Sequence, residues 1–412
     1  MWKKRILGFA AALAVFSCSP SGSSPSGVPR ILMTVPSDAI AVCAFGSLQD
    51  ALEQATPTDS PLRRLDAGSY LSGRPAAVAY VYNGSLCPIL SLDAGKGKGA
   101  DDLLHTADSL GMCCARIDSC FGHNPALLFS CSQNALASAA RHITDAQESI
   151  LSATLFEEAA ALADGRDCII LKNERCDKYL QTGELDRYYK RADVAGFFSR
   201  FAPWTVLVRE NEGYDILAVP TADTKYFSKL SEKLECRDSR IGAALPDSVD
   251  FAICLNVGGD FRSAYEEWMD GCVRLDRYNR KMTALKKDSG TSPKVWEKEN
   301  GISEIAAAAW DSHKVLLVRS SATGPDSISG NPCRGFISEL YGAAFTFPDT
   351  LMVADGEWTA YGLEDDLRAW LEAPKAGDEG VRWPVKGNRF AVCTASGMIY
   401  SDNKGIHLNF NN

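Results

Sequence analysis

One pattern occurs twice in this chain, and it narrows the folds open to it. Val35-Pro36-Ser37-Asp38-Ala39-Ile40-Ala41-Val42-Cys43-Ala44-Phe45 runs into 48–53, and Leu245-Pro246-Asp247-Ser248-Val249-Asp250-Phe251-Ala252-Ile253-Cys254-Leu255 runs into 261–268. Each copy has an apolar residue before proline, an Asp/Ser pair, an apolar run with cysteine near its end, a short turn and the start of an amphipathic helix. Proline pre-sets its own φ, and Asp or Ser beside it favours a turn. The run that follows reads as a strand. The chain after Pro29 is also longer than the roughly 250–300 residues at which a single core stops growing. Two related domains are therefore expected.

Later segments echo one another. In the first half a helical stretch over 150–163 precedes a strand over 167–171. Then 204–209 and 214–220 form a hairpin around Glu210-Asn211-Glu212-Gly213. In the second half 302–311 and 314–319 pair across Asp311-Ser312-His313. Residues 357–362 give way to Asp365-Asp366 and a helix over 367–371, and 389–395, 397–401 and 405–410 are three short strands. Hairpins mixed with single helices lack the regular strand–helix alternation of a parallel sheet. The expected class is α+β, each domain an antiparallel sheet with helices packed on one face. The first domain is placed at 30–237 and the second at 238–412, with the boundary near 235–244. Loops are expected at 94–100, 286–294 and 320–332.

The N-terminus gives an address. Met1-Trp2-Lys3-Lys4-Arg5 is a cationic head, 6–16 is an apolar run, and Val15-Phe16-Ser17-Cys18 follows. That order is a secretory signal, here over 1–17. The apolar run is too short for a membrane span, which needs roughly 20 residues. Residues 18–29 begin with Cys18 and continue as Ser/Pro/Gly with no large side chain, a composition suited to a flexible tether.

Removing Lys3, Lys4 and Arg5 moves the formal charge from -9 to -12. That argues against nucleic acid or anionic lipid as a partner, since both call for a basic patch. Cys43, Cys168, Cys254 and Cys393, four of the 14 cysteines, sit in short apolar runs, where cysteine behaves as a small buried hydrophobe. An exported chain invites a disulfide. The candidates are Cys113 or Cys114 with Cys120 or Cys131, Cys114 with Cys120 among them.

No motif names a chemistry. Ser401-Asp402-Asn403-Lys404 matches fragments of the penicillin-recognising signatures, but one tetrapeptide would serve for two separate motifs and no Lys-Thr-Gly exists. It reads as a hairpin turn with a positive φ at Gly405. Gly95-Lys96-Gly97-Lys98-Gly99 lacks phosphate-loop spacing. Cys114, Cys120 and His123 fall short of the four ligands of a structural zinc site. Asp101-Asp102, Glu157-Glu158, Glu266-Glu267 and Asp365-Asp366 lie in helical stretches as solvated faces, and Trp204, Trp268, Trp310, Trp358, Trp370 and Trp383 read as core. No catalytic residue, metal site or cofactor is expected.

The Ser17-Cys18 junction resembles a bacterial lipoprotein signal, which implies lipidation of Cys18. Ser19, where inner-membrane lipoproteins have aspartate, resembles export to the outer membrane, and no acidic cluster follows to mark surface display. The apolar-Pro-Ser-Asp opening, Phe156 with Asp167-Cys168-Ile169-Ile170-Leu171, Trp204-Thr205-Val206-Leu207-Val208, and Gly301-Ile302-Ser303-Glu304-Ile305 before Lys314-Val315-Leu316-Leu317-Val318-Arg319 together resemble a group of Bacteroidota lipoproteins with a domain of unknown function in two copies. The likeness covers most of the chain after the tether and implies the repeat and the address. Asp326-Ser327-Ile328 resembles the Asp-Ser/Thr-apolar O-glycosylation acceptor of such envelopes, with Ser327 as the acceptor. The expected role is a lipid-anchored, periplasm-facing, non-enzymatic binding or scaffolding module. Its partners are the membrane, through the anchor, and an envelope protein or peptide. The alternative is an envelope hydrolase with a dispersed site.

Overall fold

The computed structural model describes residues 30–410 apart from 57–58, 66–67, 96–98, 122–123, 145–148, 181–199, 211–212, 259–260, 323, 333, 336–347, 378–385 and 395–396. Cys18 lies outside the described residues, as do Trp383 and the side chains of Cys120 and His123.

The fold is α+β; among the described residues it is built on one large sheet of 17 strands whose pairings are all antiparallel. Its first eight strands, from one edge inward, are β4 (Cys113–Phe121), β5 (Asn124–Ser130), β3 (Leu86–Asp93), β2 (Ala76–Tyr82), β1 (Ala41–Phe45), β6 (Cys168–Lys172), β7 (Trp204–Glu210) and β8 (Gly213–Ala218). β8 then pairs with β17 (Ile406–Phe410). From there the sheet continues through β16 (Gly397–Ser401), β15 (Phe390–Thr394), β9 (Phe251–Asn256), β10 (Glu304–Trp310), β11 (His313–Arg319), β14 (Trp358–Gly362), β13 (Leu351–Asp355) and β12 (Ser329–Gly330). Read outward from the β8–β17 join, both halves have one plan. The last hairpin comes first, then the strand before it, then the opening strand with the next two, and finally an outer pair in reversed order. β12 is an addition at the far edge of the second half.

The repeated openings occupy matching places. A single 3-10 turn precedes each, Arg30–Thr34 and Ile241–Ala243. Pro36 and Pro246 each form an isolated bridge, to Ser149 and Lys375, and β1 and β9 then take equivalent interior places, β1 between β2 and β6 and β9 between β10 and β15. One expectation needs correcting. The structure does not divide into two separate sheets; hydrogen bonding runs without a break across the join.

The placement of helices is a second correction: they cover both faces, not one. On one face α1 (Leu48–Gln54), α2 (Gly99–Ser109), α5 (Phe227–Ser231), α6 (Phe261–Gly271) and α7 (Leu275–Ser289) pack with Cys43, Val78, Leu90, Phe129, Leu255, Ile305 and Leu316. On the other, α3 (Gln133–Thr144) and α4 (Phe156–Leu162) cover Val42, Ala79, Leu128 and Ile170. α9 (Glu364–Glu372) covers Cys254, Ala306 and Leu317 there. Neighbouring residues of one strand point to opposite faces, so β1 buries all five of its residues. The physical cause is in the runs themselves: Ala-Val-Cys-Ala-Phe or Cys-Ile-Ile-Leu has no polar alternate to turn toward water.

Other expectations hold or shift locally. The hairpins at 204–220 and 302–319 and the three C-terminal strands are present. The helix expected over 150–163 is interrupted: a 3-10 turn at Ile150–Ser152 gives way to α4 after Leu155, which has φ 66°. The loop expected at 286–294 is largely helical, since α7 runs to Ser289 and α8 (Pro293–Asn300) starts behind the Ser292 cap. Cys43, Cys168, Cys254 and Cys393 are buried as expected. A Cys114–Cys120 bridge does not suit this fold. Both residues belong to β4, whose pairing shifts register between Ile117 and Phe121; six strand residues still reach well beyond the roughly 7 Å within which bridged Cα atoms lie.

Candidate functional site

The join between the halves is the most distinctive assembly of polar side chains among the described residues. Among the described residues it has three residue pairs: His407 opposite Asp215, Leu408 opposite Tyr214, and Asn409 opposite Gly213. In the first half Asp215 lies opposite Val208, and in the second His407 lies opposite Tyr400. The two hairpins superimpose in register, so Asp215 and His407 hold the same place in their respective copies. They face each other at the join, and a local two-fold axis passes between them.

The chemistry there is a clamped imidazole. His407 Nδ1 lies 2.8 Å from Asp215 Oδ1, and its Nε2 lies 3.1 Å from Asp402 Oδ1. Both ring nitrogens thus face a carboxylate oxygen, one from each half of the sheet. Tyr400 packs beside it, ring centroids 5.1 Å apart. Asp402 is supplied by the tight turn: its carboxylate also accepts from the backbone N–H of Lys404 (2.7 Å) and of Gly405 (3.0 Å). Burial pushes the Asp402 carboxyl up, but the Lys404 N–H, the His407 ring and the Gly405 N–H outweigh it and hold it below the usual range. The Ser401–Lys404 motif is thus a hairpin turn, as expected. The positive φ expected at Gly405 is absent, because the Asp402 carboxylate organises this turn by accepting N–H groups.

A depressed carboxyl pKa stabilises the fold above the ordinary carboxylate range, and that contribution is lost as pH falls through the depressed value. Asp402→Asn should therefore be less stable than wild type near pH 7, with the gap closing in acid. Urea midpoints at the two pH values measure this, and a pH-independent gap would contradict it.

A second pairing lies at the far side of the second half. His313 opens β11, and its Nδ1 is 3.1 Å from Asp366 Oδ1. Asp366 lies in the first turn of α9, is 7% exposed, and also accepts from Lys314 N. Trp310 lies beside the imidazole. Of the expected surface carboxylates, Asp101 follows the expectation by pairing with Arg116 at the surface; Asp366 turns inward. Sequence spacing held a signal for this, since Asp366, Leu367 and Trp370 line one helix face and all three are buried.

The remaining expected residues disperse. Ser327 is exposed ahead of β12. Trp204, Trp268, Trp310, Trp358 and Trp370 are core residues. Among the described residues, no group of three or more His, Cys, Asp or Glu side chains is arranged to hold a metal ion, and no helix is long and apolar enough to cross a membrane. A buried network that sequence reading missed ties the connection between the halves to β10. The Glu304 carboxylate, fully buried, accepts from Ser239 Oγ (2.6 Å), Arg240 N (3.0 Å) and Arg319 Nη1 (2.8 Å).

Comparison with protein families, with curated proteins and with solved structures finds no match.

Proposed function

We propose that this chain is a lipid-tethered envelope protein, a duplicated α+β binding or scaffolding module anchored through Cys18 to the outer membrane and facing the periplasm. In this reading it consists of two related units, 30–237 and 238–412, and belongs with the two-copy Bacteroidota lipoproteins whose motifs it resembles. The observation that carries it is the eight-strand plan shared by the two sides of the β8–β17 join, with β12 added in the second. Joined edge to edge, such a pair forms one extended, doubly covered platform, suited to holding a partner rather than enclosing a small substrate. The outer edge suits an envelope protein or peptide: among the described residues β4 is paired on one side only, and an extended segment can add to such a strand. Ser327 remains the proposed glycosylation acceptor.

The test is a crosslinking pull-down from intact envelopes, run beside a Cys18→Ser control. The expected result is one stoichiometric protein partner, recovered with wild type and lost with the control, which should leave the membrane fraction. Equal membrane fractionation of the control would overturn the anchor; recovery of no partner would overturn the scaffold.

The His313–Asp366 pair favours a second reading, an envelope hydrolase. A buried carboxylate orienting a half-exposed imidazole is the arrangement of a general base. Hydrolysis of an envelope ester or glycan that His313→Gln abolishes without loss of fold would support it over the scaffold.

A further inference from the structure

The outer end of the first half gathers three thiols. Cys87 lies on β3, Cys113 on β4, and Cys131 directly after β5, the strand between them. The register sets their spacing. Cys113 and Ile89 both oppose Ser130, the last residue of β5. Cys131 is thus one residue beyond the partner of Cys113, and Cys87 is two residues from Ile89. Adjacent strands lie about 4.8 Å apart, so Cys87 and Cys113, with a whole strand between them, are about 10 Å apart across the sheet. That exceeds the roughly 7 Å limit for bridged Cα atoms. Cys131 stands between the two.

Strict strand alternation would aim Cys131 away from the face that Cys113 shares with Ser130, but the chain leaves the strand there. Ser130 Oγ donates to Pro88 O (2.9 Å) and accepts from Ser132 N (3.2 Å). This hydroxyl-closed turn bends the backbone at Cys131, which is exposed, while Cys87 and Cys113 are half-buried. Both flanking thiols raise the pKa of Cys131, after burial, which is the largest cause. The three sulfurs therefore share one neighbourhood.

We infer that these residues form a disulfide site in which Cys131 is the entry thiol, Cys113 its first partner and Cys87 its second. The oxidant is an external disulfide, of a small thiol or of a dithiol oxidoreductase. The Cys131 thiolate, having given its proton to solvent, attacks one external sulfur; a mixed disulfide forms and the first external thiol leaves. The Cys113 thiolate then attacks the Cys131 sulfur and expels the second external thiol. Two protein thiols are oxidised to one bridge, and one external disulfide is reduced to two thiols. Because only thiolate attacks, and the Cys131 pKa is raised, the reaction accelerates as pH rises above neutral.

The test uses the purified full chain carrying Cys18→Ser, oxidised glutathione as the probe, quenching with N-ethylmaleimide and mass analysis of unreduced peptides. The principal intramolecular product should be Cys113–Cys131. In Cys113→Ser, checked for fold by circular dichroism, the link should move to Cys87–Cys131. In Cys131→Ser, an exposed position that should tolerate the change, neither link should form. Buried Cys168, whose thiol burial pushes up to about 12, should stay reduced. Arrest of Cys131 as a glutathione adduct, or a principal link to Cys114 or Cys236, would overturn the site. None of these readouts depends on where the protein resides, so failure here is separable from failure of the envelope reading.

Discussion

Gly213→Ala is expected to uncouple the two halves. A Cβ at this position would stand 2.0 Å from Leu408 O, 3.0 Å from Leu408 C and 3.2 Å from Asn409 Cα. All three atoms are backbone, and all belong to the strand across the join. No rotamer change relieves such a clash; β17 must withdraw. Since the described part of the join has three residue pairs, withdrawal at Gly213 threatens the His407–Asp215 contact two residues away. Overpacking typically costs 1–3 kcal/mol where side chains can shift. With backbone on both sides we expect about 3 kcal/mol or more, at the upper end of single-substitution effects. Denaturation followed by fluorescence and circular dichroism should show a lower midpoint and a broadened or split transition. Gly73→Ala is the control: Gly73 has open space around it and no positive φ, and its substitution should stay within about 0.5 kcal/mol of wild type. A single transition at the wild-type midpoint for Gly213→Ala would refute the role given to the join.

Glu304→Ala is the second large effect. The carboxylate is fully buried, and its removal leaves the Ser239 hydroxyl, the Arg240 N–H and one arm of Arg319 without their acceptor. Stripping one partner from a buried ion pair costs about 3–5 kcal/mol, because the charge left behind is uncompensated. Arg319 also pairs with Glu357, whose side chain is 67% exposed. Glu357→Ala should cost at most about 1 kcal/mol, as surface pairs do. The comparison matters because the same guanidinium is involved in both. Ser239 and Arg240 lie on the connection between β8 and β9, so Glu304→Ala should also expose that connection to proteolysis. Equal effects of the two substitutions would show that burial at Glu304 is not what gives the network its strength.

Much of the fold was legible because its signals are local. Hairpins such as 204–220 announce themselves by apolar runs around Asn and Gly, and the second copy of the Pro-Asp/Ser opening foretold equivalent strands at β1 and β9. What escaped was non-local. Nothing in Gly213-Tyr214-Asp215 marks a partner almost two hundred residues downstream, and a glycine there resembles any turn glycine until its neighbour is known. The helix layers were misjudged for another reason. β1 and β6 are apolar at nearly every position, which signals burial on both faces, whereas cover on one face needs an apolar–polar alternation that these runs lack. The loop reading of 286–294 followed its lysines and glycine, although Lys286 and Lys287 are ordinary exposed residues of a helix closed by Gly290 at φ 77°. The candidate site was the least visible part. His407 and Asp402 lie five residues apart and could be paired as neighbours, but Asp215 could not.

The near-symmetry of the join has a bearing on stoichiometry. Where two equal strands meet about a dyad, the residues on that axis confront their own counterparts. Two first halves would bring carboxylate to carboxylate, and like charges directly opposite are destabilising; two second halves would bring imidazole to imidazole, with neither ring facing a carboxylate across the join. With aspartate in one copy and histidine in the other, each β-edge favours the unlike partner that covalent linkage already delivers. The chain thereby consumes the inner margin of each half, one to one, and denies that margin to neighbouring molecules, while β4 stays the outer edge.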